Sequence, residues 1–191
     1  MGTVAKWQLP PFRVDSARMR QARRHIPGVV HHLIWRFTDS RYFLDAPGAR
    51  DIYQRWLGRA LLESDWKCLA YALMSSHIHI AVIAGQEPLA RWSRRANLPF
   101  ALWVNDEHGR IGPVFANRAN DWAVAPERVP SLIAYIHNNP VRAGVVTSAE
   151  ASTWTSHGHY VGAQEVTPDW LHVEDGLALS KRTRAEFDAF V

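Results

Sequence analysis

A chain of 191 residues with 47% hydrophobic content is long enough to bury one hydrophobic core and short for two domains. Lysine and arginine number 22 against 18 aspartate and glutamate residues, and this mild excess indicates an anionic partner. Cys68 is the only cysteine, which excludes an intrachain disulfide and is typical of a reducing compartment. No apolar stretch reaches membrane-spanning length and a signal-peptide core is absent, so we expect a cytoplasmic protein without a membrane partner.

Hydrophobic periodicity and turn residues predict seven elements. In chain order they are a strand over 29–37, a helix over 47–64, strands over 66–74 and 77–84, a helix from 88 to beyond 103, a short strand over 121–125, and a helix over 127–139. Pro99 is expected to kink or end the second helix, and Pro140 to terminate the last one. The first six elements predict an α+β, ferredoxin-like antiparallel sheet with helices on one face, to which the last helix is an addition.

Two pairs of polar residues have the spacing of a catalytic site. His77 and His79 lie on one face of a strand, and Tyr135 and Asn139 lie on one face of a helix. Two imidazoles and an amide oxygen make three metal ligands, and a phenol one helical turn from the amide could attack a phosphodiester polarised by that metal.

Each of these four residues also has a plainer interpretation. The histidines could be polar positions on a solvated strand, Tyr135 a packing residue with its hydroxyl at the surface, and Asn139 a helix end. Their joint occurrence within longer motifs favours the catalytic interpretation. The motifs are His25 to His32, Tyr71 to Val82, Gly112 to Arg118, Tyr135 to Val146, and the tail over 184–191.

Through these motifs the chain resembles the single-tyrosine HUH (His-hydrophobe-His) transposases, and among them the REP-associated branch related to the IS200/IS605 transposases. Ser75 and Ser76 stand where members of this family usually carry Pro-Asn. The resemblance implies a transposase domain over 25–165, preceded by a basic arm over 1–24 and followed by a tail over 166–191.

The resemblance also implies a chemistry and a substrate. Tyr135 would be the nucleophile that forms a 5′-phosphotyrosine, and His77, His79 and Asn139 would bind Mg²⁺ or Mn²⁺. The substrate would be a palindromic DNA hairpin with flanking single strand, cut and rejoined in the bacterial nucleoid. The family implies either a monomer or a homodimer.

Basic and aromatic residues supply candidate DNA contacts. Arg91, Arg94 and Arg95 surround Trp92 on the second predicted helix, and Arg118 is the last residue of the third motif. Solvated helix faces or loops are the plainer interpretation of these arginines. Most of the nine tryptophans are expected to pack the core, and Trp92 and Trp103 could instead stack unpaired bases.

Two rival functions use the same fold. One is a domesticated protein that binds DNA hairpins without cutting them, and the other is an RNA-hairpin binder that uses the sheet and its aromatic residues. The complete set of Tyr135, His77, His79 and Asn139 favours retained chemistry over either rival.

Overall fold

The computed structural model describes residues 25–191, and the predicted basic arm over 1–24 lies outside this range. Four strands and two long helices come first: β1 (Val30–Arg36), α1 (Ala49–Leu62), β2 (Lys67–Met74), β3 (His77–Ile83), α2 (Leu89–Glu107) and β4 (Asn120–Val124). Five further helices follow: α3 (Val129–His137), α4 (Asn139–Arg142), α5 (His157–Val161), α6 (Val173–Ser180) and α7 (Arg184–Asp188). The predicted order of the first six elements is confirmed.

The four strands form one antiparallel sheet in the order β2-β3-β1-β4. This is the ferredoxin-like α+β arrangement that the sequence predicts. Within it Ile34 of β1 lies opposite His79 of β3, and His32 of β1 lies opposite Trp122 of β4. Because side chains alternate along a strand, His32, His77, His79 and Trp122 all project from the same face of the sheet.

The other face of the sheet carries the main hydrophobic core beneath α1 and α2. Trp35 of β1 meets Trp92 of α2 edge to face, with ring centroids 5.9 Å apart, and Tyr53 of α1 meets Phe100 of α2 at 5.0 Å. Trp92, Tyr53 and Phe100 are fully buried. The helices therefore cover one face and leave the histidine face to α3.

Helix α2 continues through Pro99, so the prediction that this proline could end the second helix is wrong. Proline removes one backbone hydrogen bond and costs a helix interior roughly 3 kcal/mol. The buried face of α2 offsets this cost, because Ala96, Phe100 and Val104 lie on both sides of Pro99 and pack into the core.

Pro140 also acts differently from the prediction. Helix α3 ends at His137, before the proline, and Pro140 lies in the first turn of the separate helix α4. A proline is well tolerated there, because the amide groups of a first turn have no intrahelical partner. Tyr135 and Asn139 thus belong to consecutive helices.

The segment after residue 165 packs closely against the sheet domain. Its Trp170 lies against Tyr71 of β2 with ring centroids 5.4 Å apart. The same indole closely covers Gly58 of α1, where an added Cβ would lie 2.5 Å from its nitrogen. Phe187 of α7 is buried against Tyr160 of α5 at 4.9 Å. The division into a domain over 25–165 and a tail over 166–191 stays a prediction.

Among residues 25–191, every helix is too short or too polar to cross a membrane.

Candidate active site

The candidate nucleophile, Tyr135, meets the histidine face of the sheet. Its ring is 5.8 Å from that of His79 and 6.0 Å from that of His32, edge to face in both cases. Ile133 and Ile136 of α3 are fully buried and fix the helix on the sheet, whereas the Tyr135 side chain is 38% exposed. The phenol therefore lies at the rim of the site, beside the histidines and open to a substrate.

Asn139 is held against α3 by its own side chain. Its Nδ2 donates a hydrogen bond of 2.9 Å to the carbonyl oxygen of Tyr135. The residue is 8% exposed, so this contact fixes the amide in a largely buried position. Because Nδ2 makes this hydrogen bond, the amide oxygen Oδ1 is the atom that could bind a metal ion or accept a hydrogen bond.

The two strand histidines are held through the same ring atom. Nδ1 of His77 contacts the hydroxyl of Ser76 at 3.1 Å, and Nδ1 of His79 contacts Nε2 of His32 at 2.9 Å. In each case Nε2 is left for another partner. Ser76, one of the two serines in place of the family's usual Pro-Asn, thus contacts a candidate ligand directly.

All three imidazoles are held in the neutral form at neutral pH. Burial lowers the pKa of His32 to about 4 and, with the nearby His77, His32 and Arg36, lowers that of His79 to about 3. Burial and the Arg36 guanidinium also lower the pKa of His77. A neutral imidazole is the form that binds a metal ion, so these side chains need no deprotonation before they can bind one.

His32 has no role assigned from the sequence. It lies 47 residues from His79 along the chain, and only the pairing of β1 with β3 brings the two rings together. Its place in a strand of alternating polarity was visible in the sequence. Its hydrogen bond with His79 depends on the register between β1 and β3, which the sequence pattern does not predict.

Two arginine side chains lie at the candidate site, one at Tyr135 and one at His77. The guanidinium of Arg142 lies over the Tyr135 ring, 5.4 Å from its centroid. Arg36 lies opposite His77 across the β1–β3 pair and is exposed. Within residues 25–191, neither guanidinium forms an ion pair with a carboxylate. Both are therefore available to an anionic ligand.

The four arginines predicted to bind DNA fall into two groups. Arg94 and Arg118 line one cavity of about 360 Å³ between α2 and the segment before β4, together with Asn97. Arg95 instead donates two hydrogen bonds, of 2.8 and 2.7 Å, to Glu87, which also lies 3.4 Å from Arg91. A phosphate would have to compete with Glu87 for Arg95, whereas the other group faces open space.

The two tryptophans considered for base stacking both pack against other aromatic rings. Trp92 is fully buried against Trp35 and Trp66, so its role is core packing. Trp103 is half-buried and stacks on Phe100. On the histidine face the exposed indole belongs to Trp122, which sequence analysis did not single out.

A second cluster of potential metal ligands lies on the other face of the sheet. His25 Nε2 and His31 Nδ1 each lie 2.7 Å from a different carboxylate oxygen of Asp121. Within the described residues this trio could hold a metal ion, although it contains none of the three predicted ligands. These short separations equally fit hydrogen bonds between imidazole and carboxylate.

Comparison with known proteins supports the fold. No protein-family model and no curated protein matches the chain. A solved REP-associated tyrosine transposase bound to a REP hairpin superposes with a TM-score of 0.62 at 15% identity, over 81% of this chain and 92% of that one. At this identity the likeness establishes a shared fold. It confirms the fold that the sequence resemblance implies.

Weaker structural likenesses extend to two other proteins. A candidate transposase from Deinococcus radiodurans R1 gives a TM-score of 0.41 at 17% identity, over 63% of this chain and 97% of that one. A bacterial tRNA(His) guanylyltransferase (Thg1)-like protein in complex with ATP gives 0.44 at 10% identity, over 86% and 76% of the two chains. At these scores neither likeness establishes a common fold.

Proposed function

We propose that this chain is a REP-associated-type, single-tyrosine HUH transposase: a metal-dependent endonuclease and strand-transferase of single-stranded DNA at palindromic hairpins. The observation that carries the proposal is the contact of Tyr135 with His79, with Asn139 fixed against the Tyr135 carbonyl. The fold shared with a REP-associated tyrosine transposase and the sequence motifs around these residues support the same function.

The donor set fits the divalent cation that such chemistry needs. His77 and His79 each keep Nε2 for a ligand, and Asn139 keeps its amide oxygen. Nitrogen donors suit Mn²⁺ better than Mg²⁺, whereas phosphate and water oxygens suit both ions. When bound, Mg²⁺ or Mn²⁺ would withdraw charge from the non-bridging oxygens of the phosphate and lower the proton affinity of the nearby phenol.

Tyr135 carries out the covalent step in this proposal. Its phenolic oxygen attacks the phosphorus, the P–O bond to the 3′ oxygen breaks, and the chain is left with a 5′-phosphotyrosine and a free 3′-hydroxyl. The phenolic proton leaves to water, and the 3′ oxygen takes up a proton as it departs. In this proposal Arg142, over the Tyr135 ring, and Arg36, beside His77, would neutralise phosphate charge during the attack. Attack by a 3′-hydroxyl on the phosphotyrosine reverses the step or joins a new strand.

The substrate class follows from the site and its surroundings. The exposed phenol of Tyr135 can meet a single strand, and the cavity lined by Arg94 and Arg118, on the opposite face of the sheet, offers cations to phosphates farther along the same DNA. The REP hairpin in the solved structural neighbour makes a DNA hairpin with flanking single strand the substrate to test first. The protein would act on it as a monomer or a homodimer.

The test is formation of a covalent protein–DNA adduct. Wild-type protein incubated with Mn²⁺ and imperfect palindromes taken from beside the gene should give an adduct on a denaturing gel. Tyr135→Phe should bind the same DNA and give none, because it lacks the attacking oxygen. The matched control is Tyr42→Phe, which alters another exposed tyrosine and should leave the adduct unchanged. Hairpin binding by the wild type without any adduct would favour the non-cleaving rival.

A further inference from the structure

An exposed tryptophan lies on the histidine face, at the edge of the sheet. Trp122 belongs to β4, the outermost strand, and is 51% exposed. It is the most exposed tryptophan within residues 25–191. Exposed tryptophan carries a large apolar face in water, so its position next to a candidate active site favours a ligand that covers it.

The Trp122 indole begins a row of rings that ends at the candidate nucleophile. Its centroid is 5.8 Å from that of His32, to which it lies opposite across the β1–β4 pair. The His32 ring is in turn 6.0 Å from Tyr135. A flat ligand on the outer face of Trp122 would therefore be separated from the phenol by the indole and one imidazole.

The charges around this row match a nucleic-acid strand. Arg142 lies over Tyr135 and Arg36 lies beside His77, and neither is paired with a carboxylate within the described residues. The two cations lie at the Tyr135 and His77 end of the site, and Trp122 supplies an exposed aromatic face at the other end. Aromatic rings that stack bases, combined with cations along the strand that hold phosphates, are the arrangement that binds single strands. A second copy of the chain would also cover Trp122, but this does not explain the two unpaired cations.

We propose that Trp122 stacks an unpaired nucleobase of the DNA strand that reaches Tyr135. This inference rests on the proposed function and deepens it by assigning a binding surface to an unpaired base of the substrate strand near the active site. Because every base has an aromatic face, the surface accepts any sequence and fixes the position of the strand rather than its identity. It complements the cavity of Arg94 and Arg118, which lies on the other face of the sheet.

The test uses 2-aminopurine, whose fluorescence falls when it stacks on an indole. The probes are DNA hairpins with thymidine flanks on both sides, and in each one a different flanking thymidine is replaced by 2-aminopurine. All proteins carry Tyr135→Phe, so that no probe is cleaved. The parent protein should quench one flanking position strongly and its neighbours weakly.

Three variants of Trp122 and one control separate stacking from other roles. Trp122→Leu should abolish the position-specific quenching and weaken binding roughly 5- to 150-fold, the range for loss of one stacked base. Trp122→Phe should restore most of the affinity, and Trp122→Lys should not, although it adds a cation. Trp103→Leu removes a half-buried indole on the helical face and should leave both readouts unchanged.

The outcomes distinguish this inference from the proposed function. Unchanged quenching and affinity in Trp122→Leu would overturn the inference, even if the wild type forms the Tyr135 adduct. A change of oligomeric mass in Trp122→Leu, with quenching retained, would overturn it in favour of a protein contact. Quenching that depends on Trp122 would support the inference even if no adduct forms. The missing adduct would then count only against the proposed cleavage.

Discussion

His32 and His79 are joined by a hydrogen bond of 2.9 Å between Nε2 of the first ring and Nδ1 of the second. For His79 to bind a metal through Nε2, its proton must reside on Nδ1, and His32 then accepts that proton's hydrogen bond. His32 would thus select the tautomer and orientation of the ligand. In the same way, the Ser76 hydroxyl would accept from Nδ1 of His77.

Removal of this acceptor should weaken metal binding. We expect His32→Ala to lower the affinity for Mn²⁺ about 10- to 100-fold, the usual effect of removing the partner of a ligating histidine. Isothermal titration calorimetry on DNA-free protein measures this directly. His108→Ala, an exposed histidine after α2, is the matched control. Equal affinities for the wild type and His32→Ala would show that His32 does not orient the ligand.

The three proposed ligands should differ in importance. His77→Ala and His79→Ala should each abolish DNA cleavage, whereas Asn139→Ala should reduce it less, because a neutral amide oxygen is the weakest of the three donors. Cleavage assays with EDTA, and then with restored Mn²⁺, provide the measurement, and circular dichroism checks the fold. Full activity in EDTA would contradict the metal site altogether. His25→Ala, in the second cluster, should leave cleavage intact if that trio is not the catalytic metal site.

The two groups of arginines should behave differently toward DNA. Replacing both Arg94 and Arg118 by serine should reduce the slope of log affinity against log salt by roughly 1.4 to 1.8, at 0.7 to 0.9 for each phosphate that the protein no longer neutralises. Arg91 and Arg95 should contribute less, since Glu87 engages both. Fluorescence anisotropy at several salt concentrations measures the slopes. Arg55→Ser, on the exposed surface of α1, is the control. A larger effect from Arg95 than from Arg94 would reverse this assignment.

Stability should decline in mild acid because of His137. Burial, helped by His157 and His159, holds the pKa of His137 well below its usual value near 6.5. Below about pH 6.5 the His137 imidazole therefore binds a proton in the unfolded chain but not in the folded state. The free energy of unfolding falls as a result. The slope for this single group is at most about 1.4 kcal/mol per pH unit.

Urea unfolding of wild type and His137→Gln between about pH 7.5 and pH 5 tests this sign and size. The variant should be less stable at neutral pH, since His137 packs against Tyr160 and contacts Ser156 at 2.9 Å. Its stability should fall less steeply with acid than that of the wild type. Parallel curves for the two proteins would show that another group governs the acid response.

Local spacing in the sequence by itself determined much of the candidate site. The strand period places His77 and His79 on one face, and the spacing of four predicts Tyr135 and Asn139 as neighbours. The hydrogen bond from Asn139 to the Tyr135 carbonyl joins them although one helix ends between them. The order of the elements likewise specified the ferredoxin-like sheet, which the structure confirms. These features follow from residues close together in the chain, where backbone geometry alone relates one side chain to the next.

Only the tertiary structure decided which distant residues join them. Strand register brings His32 to His79 and Trp122 to His32, and burial separates the packed Trp92 from the exposed Trp122. Core packing carries α2 through Pro99 against its local preference. Sequence patterns report the preference of each segment, whereas register, burial and ion pairing depend on how segments meet, because their free energies arise from contacts between residues far apart in the chain.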